Sequence, residues 1–278
     1  MQELLLLLGL VFSLHFLNAY SWHLLTKVMG FNITFGENIR IWMFPNIARY
    51  IPGKIWHYVG RVYLLSRQGV SKSQGTLAVL LDAIFTLSVG SLVVLLAVFV
   101  FNFPLARGIE WILSGIILLP IVIATIFSNQ KLLNIVVRFL QKVTKRAFSL
   151  RVYKFSFGWL IILTFVYFLN FLFAGISLFL IARGLFELQF ELLPVFVGVY
   201  SAAWILAYMS FFTPGGLGVQ EVSIAGMLSL FMPFSIASLI AILFRIALLF
   251  SELASLSLVA CHRALRQDPL LPILHTRR

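Results

Sequence analysis

The chain has 278 residues, of which 61% are hydrophobic and 11% are charged, and its formal net charge is +12. Soluble domains carry about 25% charged residues, so this composition excludes an ordinary soluble enzyme and predicts a protein whose surface faces lipid. The Lys and Arg residues lie between apolar runs, which indicates cytoplasmic loops and attraction to anionic lipid, not nucleic-acid binding.

The apolar runs predict an all-α, polytopic integral membrane protein. A spanning helix needs about 20 mostly apolar residues. Runs of that kind lie at about 4–26, 75–101, 108–128, 156–182 and 235–260, and a sixth, 191–212, fits if Glu191 lies at the interface. The first run lacks the basic segment and small-residue cleavage site of a signal peptide, so we expect it to be retained.

The region 31–74 does not form a simple span, because it is aromatic and apolar yet carries several basic residues. These are Arg40, Arg49, Lys54, Arg61, Arg67 and Lys72. Pro52-Gly53 breaks the helix, and broken helices at membrane depth are tolerated only where they line a cavity or are buried in protein. Arg is suited to bidentate phosphate contact, so we predict that the buried Arg61 binds a lipid phosphate. The alternative, which suits Arg67 and Lys72 better, is that the side chain extends to the membrane interface.

The segment 129–154 fixes the predicted topology. It holds basic residues and no acid: Lys131, Arg138, Lys142, Lys145, Arg146, Arg151 and Lys154. By the positive-inside rule it is cytoplasmic, either as an amphipathic helix on anionic lipid or as an ordinary solvated loop. Loops 102–107 and 183–190 are then outside, whereas residues 66–74 and the C-terminus are inside.

The region 213–234 is a second interrupted segment, with the sequence TPGGLGVQEVSIAGMLSLFMPF. Its glycines allow backbone N–H groups to approach a ligand, and a helix start offers positive partial charge. We expect Glu221 about two turns into the following helix, where it could carry a proton, pair with Arg or hold a cationic headgroup. The alternative is a glycine-rich break needed only for packing.

The two interrupted regions share one pattern: an approach helix, Pro-Gly, a short helix and a spanning helix. Asp82 lies 30 positions after Pro52, and Arg245 lies 31 positions after Pro214. Because the topology opens the first unit inside and the second outside, it predicts two re-entrant helical hairpins in inverted-topology repeats, with a site near the bilayer midplane. Chance similarity of two hydrophobic stretches is the alternative.

These boundaries define one transmembrane domain, 1–262, and a cytoplasmic tail, 263–278. Repeat one covers about 31–101 and repeat two about 190–260.

The predicted spans contain the charged residues Asp82, Arg245 and Glu252. Each costs about 2.5–3.5 kcal/mol on insertion scales, so it persists only where it pairs, lines a wet cavity or functions. Asp82 is predicted to meet Arg245 across the repeat interface. Arg245 and Glu252 share a helix face two turns apart. A structural ion pair between helices is the alternative to a functional role.

The sequence shows no metal-ligand cluster, Walker motif, nucleophile elbow or dinucleotide fingerprint. We therefore expect no catalytic residue, no metal and no cofactor. The single cysteine, Cys261, cannot form an internal disulfide or a cysteine-based metal site.

NIARYIPGKIWHYVGRVYLLSRQGVS, an Asp in the next span, FFTPGGLGVQE and a later span with an internal Arg together resemble the flippase-like membrane family. This family includes the transmembrane domain of lysylphosphatidylglycerol synthases, the multiple peptide resistance factors, and the resemblance covers about residues 20–260. It implies re-entrant helices in inverted repeats and lipid movement between leaflets, sometimes beside a glycosyltransferase. Together with the basic group, it assigns the headgroup site to Asn46, Arg49, Pro52, Gly53, Lys54, Arg61, Pro214, Gly215, Gly216, Gly218 and Glu221, with Arg245 behind it.

The chain also departs from the family pattern. Many relatives have an acidic residue soon after the first Pro-Gly, where this chain has Lys54 and Ile55, so we expect a different headgroup. A chain ending at 278 has no room for an aminoacyl-transferring domain and should not make lysyl-lipid. Relatives often have a further N-terminal span, so that end is a candidate for a missing one.

The leading hypothesis is a flippase or transporter for a phospholipid or a polyprenyl-phosphate-linked lipid in the inner or plasma membrane, with an anionic phosphate headgroup. One alternative is a non-catalytic membrane partner of a glycosyltransferase or lipid synthase. Another is a membrane enzyme acting on lipid phosphates.

Overall fold

A computed structural model describes residues 2–53, 55–101, 156–210 and 213–265, with isolated positions between 129 and 138. The predicted span at 108–128, most of the basic segment 129–154, Lys54 and residues 266–278 lie outside the described residues. The described chain forms helices α1 (Gln2–Val28), α2 (Phe35–Asn46), α3 (Trp56–Arg67), α4 (Lys72–Phe101), α5 (Phe157–Leu185), α6 (Leu193–Met209), α7 (Val219–Leu228) and α8 (Phe234–Leu265). Short 3₁₀ turns occupy Ile47–Tyr50, Phe190–Leu192 and Pro214–Gly216.

Four stretches in the described part of the chain are long and apolar enough to cross a membrane: Lys72–Phe99, Phe157–Leu185, Phe190–Met209 and Phe234–His262. They confirm helices at the predicted spans 75–101, 156–182, 191–212 and 235–260, and they indicate a multi-pass membrane protein. The predicted span 4–26 lies in α1, whose 27 residues extend about 40 Å. At the other end, α8 continues to Leu265, past the predicted start of the tail.

The first interruption folds into two short helices that lie against each other. Thr34 caps α2 by accepting a hydrogen bond from the Glu37 N–H, and Gly53 turns the chain towards α3 with φ of 100°. A Cβ on Gly60 of α3 would lie 2.8 Å from the Cβ of Pro45 in α2. The glycine therefore permits a close approach of the two helices.

The second interruption depends on glycine for its backbone conformation. Gly215, Gly216 and Gly218 have φ of 59°, 73° and 83°, values that residues with a Cβ rarely adopt. The chain leaves α6 through this turn and enters α7, which packs against α6 and α8.

The two larger apolar clusters of the described residues lie around the interruptions. One includes Trp22 of α1 and Phe85 of α4, and the other includes Phe179, Phe196 and Phe244 of α5, α6 and α8. Large apolar side chains also face outwards, as lipid contact requires. These include Phe99, Phe157 and Phe250, with exposures of 71%, 77% and 71%.

Candidate functional site

A cavity of about 300 Å³ lies where the two Pro-Gly breaks approach each other. Eight of the predicted residues line it, namely Asn46, Arg49, Gly53, Arg61, Asp82, Gly215, Gly216 and Arg245. Of the other described candidates, Glu252 lines a smaller neighbouring cavity, whereas Pro52, Pro214, Gly218 and Glu221 lie outside both linings. The structure thus brings residues of both interrupted regions to one place.

Arg61 forms the most buried ion pair at the cavity. It is 4% exposed, and it donates from Nη1 to Asp82 Oδ2 at 2.8 Å and from Nη2 to Asn46 Oδ1 at 2.9 Å. The Tyr167 hydroxyl donates to the other oxygen of Asp82. Asp82 therefore supplies the anion that a buried guanidinium requires, and a lipid phosphate is not needed for that purpose.

Aromatic rings also hold the Arg61 guanidinium. Its Cζ lies 5.4 Å from the ring centroid of Trp22 and 5.1 Å from that of Trp42. Both separations fall within the range of a cation–π interaction. Helices α1 and α2 thus orient Arg61 through their indole rings, while α4 holds it through Asp82.

Arg245 of α8 pairs with the second interrupted region. Its Nε lies 3.1 Å from Glu221 Oε1, and it donates to Gln220 Oε1 at 3.0 Å and to the Gly215 carbonyl oxygen at 3.2 Å. The predicted Asp82–Arg245 contact is therefore wrong. Each of these residues has instead paired with a short helix of its own interrupted region.

The position predicted for Glu221 also needs correction. Helix α7 begins at Val219, so Glu221 lies in its first turn and not two turns inside it. Its Oε2 accepts the Gly218 N–H at 2.7 Å. The carboxylate thus satisfies an unpaired donor at the helix start and contacts Arg245 with its other oxygen.

The third ion pair connects the first interruption to α8. Arg49 Nη2 donates to Glu252 Oε2 at 2.5 Å, and the Tyr50 hydroxyl donates to the same oxygen at 2.9 Å. Glu252 of α8 therefore pairs with Arg49 of the first interruption. Arg245 is seven positions away on the same helix, a rise of about 10 Å, and it is paired elsewhere.

The two Pro-Gly breaks contact each other through Tyr50 and Gly215. A Cβ on Gly215 would lie 2.7 Å from two atoms of the Tyr50 ring. Burial raises the pKa of the Tyr50 phenol, so this hydroxyl stays protonated at neutral pH and can donate to Glu252. Tyr50 is therefore a contact point between the two interrupted regions.

A pair of tyrosines forms a further connection across the cavity. The hydroxyls of Tyr58 in α3 and Tyr208 in α6 lie 2.6 Å apart, and the Tyr208 ring stacks on Trp204 with a centroid distance of 5.0 Å. Burial raises the pKa of Tyr58, so its phenol is neutral. The pair connects the short helix of the first region to the long helix before the second.

Sequence reasoning missed Tyr50, Tyr58, Tyr208 and Gln220 as site residues. Three of these adjoin predicted ones: Tyr50 follows Arg49, Gln220 precedes Glu221, and Tyr58 lies one turn before Arg61. That proximity was the available signal for them. Tyr208 lies at the end of an apolar run, and no feature of the sequence marked it as a site residue.

The three ion pairs make the described part of the site electrically balanced. Arg49, Arg61 and Arg245 supply three positive charges, and Glu252, Asp82 and Glu221 supply three negative ones. The described residues include no group of three or more His, Cys, Asp or Glu side chains able to hold a metal ion. The site can offer hydrogen-bond donors, acceptors and aromatic faces to a charged ligand.

Comparison with known proteins identifies one family. The model of the family described as "Lysylphosphatidylglycerol synthase TM region" matches residues 2–254. No curated protein and no solved structure matches the chain significantly.

Proposed function

The chain belongs to the family of lysylphosphatidylglycerol synthase transmembrane regions, and we propose that it moves a lipid between bilayer leaflets. The observation that carries the proposal is the central cavity, which holds three guanidinium groups inside a body of apolar helices. Such a cavity suits a charged headgroup, while the acyl or polyprenyl chains stay in the surrounding lipid. The family, one of membrane proteins in lipid-related processes, supports the same function.

The proposed transport pathway uses the two interruptions as re-entrant hairpins in inverted repeats. Two observations support this arrangement. Asp82 follows Pro52 by 30 positions, and Arg245 follows Pro214 by 31. In each unit an ion pair joins the short helix to the following long helix, but the signs are exchanged: Arg61 faces Asp82, whereas Glu221 faces Arg245.

The proposed headgroup contains a phosphate, as in a phospholipid or a polyprenyl-phosphate-linked lipid. Guanidinium groups recognise phosphate through paired, charge-assisted hydrogen bonds. The Arg49 side chain is 31% exposed, against 5% for Arg61 and 11% for Arg245. Arg49 is therefore the first arginine that an entering phosphate would meet. We place no chemical conversion of the lipid in the site.

A leaflet-accessibility assay in proteoliposomes tests the function. Fluorescent phosphatidylglycerol and a polyprenyl-phosphate analogue are followed with wild-type protein, Glu221→Gln and the double variant Arg61→Gln/Asp82→Asn, which removes both charges of one pair. Arg67→Gln is the matched control, because Arg67 is exposed at the end of α3. We expect both ion-pair variants to slow lipid movement at least tenfold, about 1.4 kcal/mol in the barrier, and the control to match wild type.

If folded wild-type protein moves neither lipid, the chain is not a flippase for these classes. The partner-subunit hypothesis then takes precedence, and co-purification would identify a glycosyltransferase or lipid synthase bound to it.

A further inference from the structure

Glu252 differs from the other two carboxylates of the site. Both oxygens of Asp82 accept hydrogen bonds, from Arg61 and Tyr167. Glu221 accepts the Gly218 N–H with Oε2, and its Oε1, which also has no hydrogen-bond partner, lies 3.1 Å from the charged Nε of Arg245. Glu252 concentrates its contacts on Oε2, and its buried Oε1 has no hydrogen-bond partner. Among these three acids, Glu252 has the oxygen best placed to receive a proton.

That free oxygen belongs to a residue at the border of a second, small cavity. This cavity has a volume of about 10 Å³ and is lined by His15, Asn46, Glu252 and Ser255 among others. The Ser255 hydroxyl oxygen is also buried without a hydrogen-bond partner. A neutral Glu252 would carry an O–H donor beside the cavity to which the Ser255 hydroxyl oxygen also belongs. That oxygen is a possible acceptor, so the surroundings accommodate the protonated acid.

The charge balance of the site makes protonation relevant to transport. With three arginines and three carboxylates, the described site has no net charge. A phosphodiester headgroup that binds Arg49 must compete with Glu252 for the guanidinium. The displaced carboxylate would then be a buried, unpaired anion, which is unfavourable unless it is neutralised.

From these observations we infer that the chain couples lipid movement to protons, with one proton binding Glu252 Oε1 as an anionic phosphodiester headgroup binds Arg49. This inference rests on the proposed lipid transport. The proton comes from the aqueous phase that delivers the headgroup, and it leaves when the headgroup departs and Arg49 pairs with Glu252 again. No covalent bond of the lipid changes, and the described part of the occupied site keeps its net charge of zero.

Two neighbours of Glu252 favour its charged form. Arg49 and Tyr50 of the first interruption favour the carboxylate by donating to it. His15 of α1 lines both cavities and bonds Ser251 Oγ at 2.9 Å. Other titratable groups on helices packed against α8 have different contacts: Tyr167 with Asp82, Glu221 with Arg245 and Arg183 with the Phe190 ring. Arg49 is therefore the cation whose departure exposes Glu252 to protonation.

Proton counting on lipid binding tests the inference. Purified protein is titrated with short-chain phosphatidylglycerol in two buffers that differ in ionisation enthalpy, and the difference in heat gives the protons bound. We expect uptake of about one proton per lipid in wild type, little or none in Glu252→Gln, and wild-type uptake in the exposed Glu187→Gln. Short-chain phosphatidylcholine is the lipid control, because its ammonium group already balances its phosphate.

A transport measurement separates this inference from the proposed function. Vesicles containing wild-type protein and a trapped pH dye receive external phosphatidylglycerol. Lumenal acidification that accompanies lipid entry, and is lost in Glu252→Gln, supports proton coupling. Lipid entry with no acidification in wild type, or equal acidification in Glu252→Gln, overturns the coupling and leaves lipid transport intact. Absence of lipid entry in wild type overturns both.

Discussion

The Arg61–Asp82 pair is a buried contact whose two halves depend on each other. Arg61 also contacts Asn46 and two indole rings, and Asp82 also accepts from Tyr167. Removing one partner of a buried pair leaves an uncompensated charge, which costs about 3–5 kcal/mol. Removing both charges avoids that cost.

We therefore predict that Arg61→Gln and Asp82→Asn each lower the melting temperature of the detergent-solubilised protein. The double variant should melt higher than the sum of the two losses implies, as expected for residues in direct contact. Tryptophan fluorescence during heating measures all three variants. Additive losses would show that the two side chains do not depend on each other.

Some of the charged site residues could be predicted from the sequence. Asp82, Arg245 and Glu252 stand out in the sequence because they are charges inside apolar runs. Their partners were not predictable, because pairing depends on how helices far apart in the chain are placed. Arg49 and Glu252 are 203 positions apart, and no local pattern connects them.

At the scale of elements, the turn Pro214–Gly216 is constrained both by its backbone conformation and by its contact with Tyr50. Gly215 adopts φ of 59°, and a Cβ there would meet the Tyr50 ring at 2.7 Å. We predict that Gly215→Ala displaces the first interruption and slows lipid movement, with a loss of stability above about 1 kcal/mol from backbone strain and the clash.

Gly226→Ala is the control for that substitution. Gly226 lies in the neighbouring α7 with open space at its Cβ position and no positive φ. Alanine there should be neutral or stabilise by about 0.5–1 kcal/mol. Lipid transport rates and melting temperatures compare the two variants. A Gly215→Ala protein that behaves like Gly226→Ala would contradict the contact between the breaks.

The sequence predicted where most of the long helices lie, but it predicted the ends of the helices less accurately. Continuous apolar runs predicted α4, α5, α6 and α8, and each Pro-Gly pair predicted a break. The first turn of α7 was misplaced, since Gly218 starts the helix immediately after the break and brings Glu221 to its N-terminal end. That start depends on a hydrogen bond between the Glu221 side chain and the Gly218 N–H, which apolar periodicity does not encode.

For the whole molecule, inverted repeats predict which ends of the hairpins share a side. Asn32 and Ser71 flank the first hairpin, and Glu191 and Ser235 flank the second; all four are exposed. In a Cys261→Ser background, single cysteines at 32 and 71 should react with an impermeant maleimide only from the cytoplasmic side. Cysteines at 191 and 235 should react only from outside.

The native Cys261 provides the reference for that experiment, because it is exposed near the end of α8 and is predicted to lie inside. Labelling in right-side-out and inverted vesicles gives the comparison. Reaction of positions 32 and 71 from opposite sides would exclude a first re-entrant hairpin. Reaction of all four from one side would exclude the inverted arrangement.

The balance of three arginines against three carboxylates, kept by the proposed proton, determines how the membrane potential acts on the transported lipid. An anionic lipid that crosses alone carries its charge through that potential, a difference of about 2.3 kcal/mol per 100 mV. A lipid that crosses with a proton carries no net charge. Its steady distribution between the leaflets would then follow the pH difference and ignore the voltage, so a cell that lost its potential but kept its pH gradient would retain the lipid asymmetry.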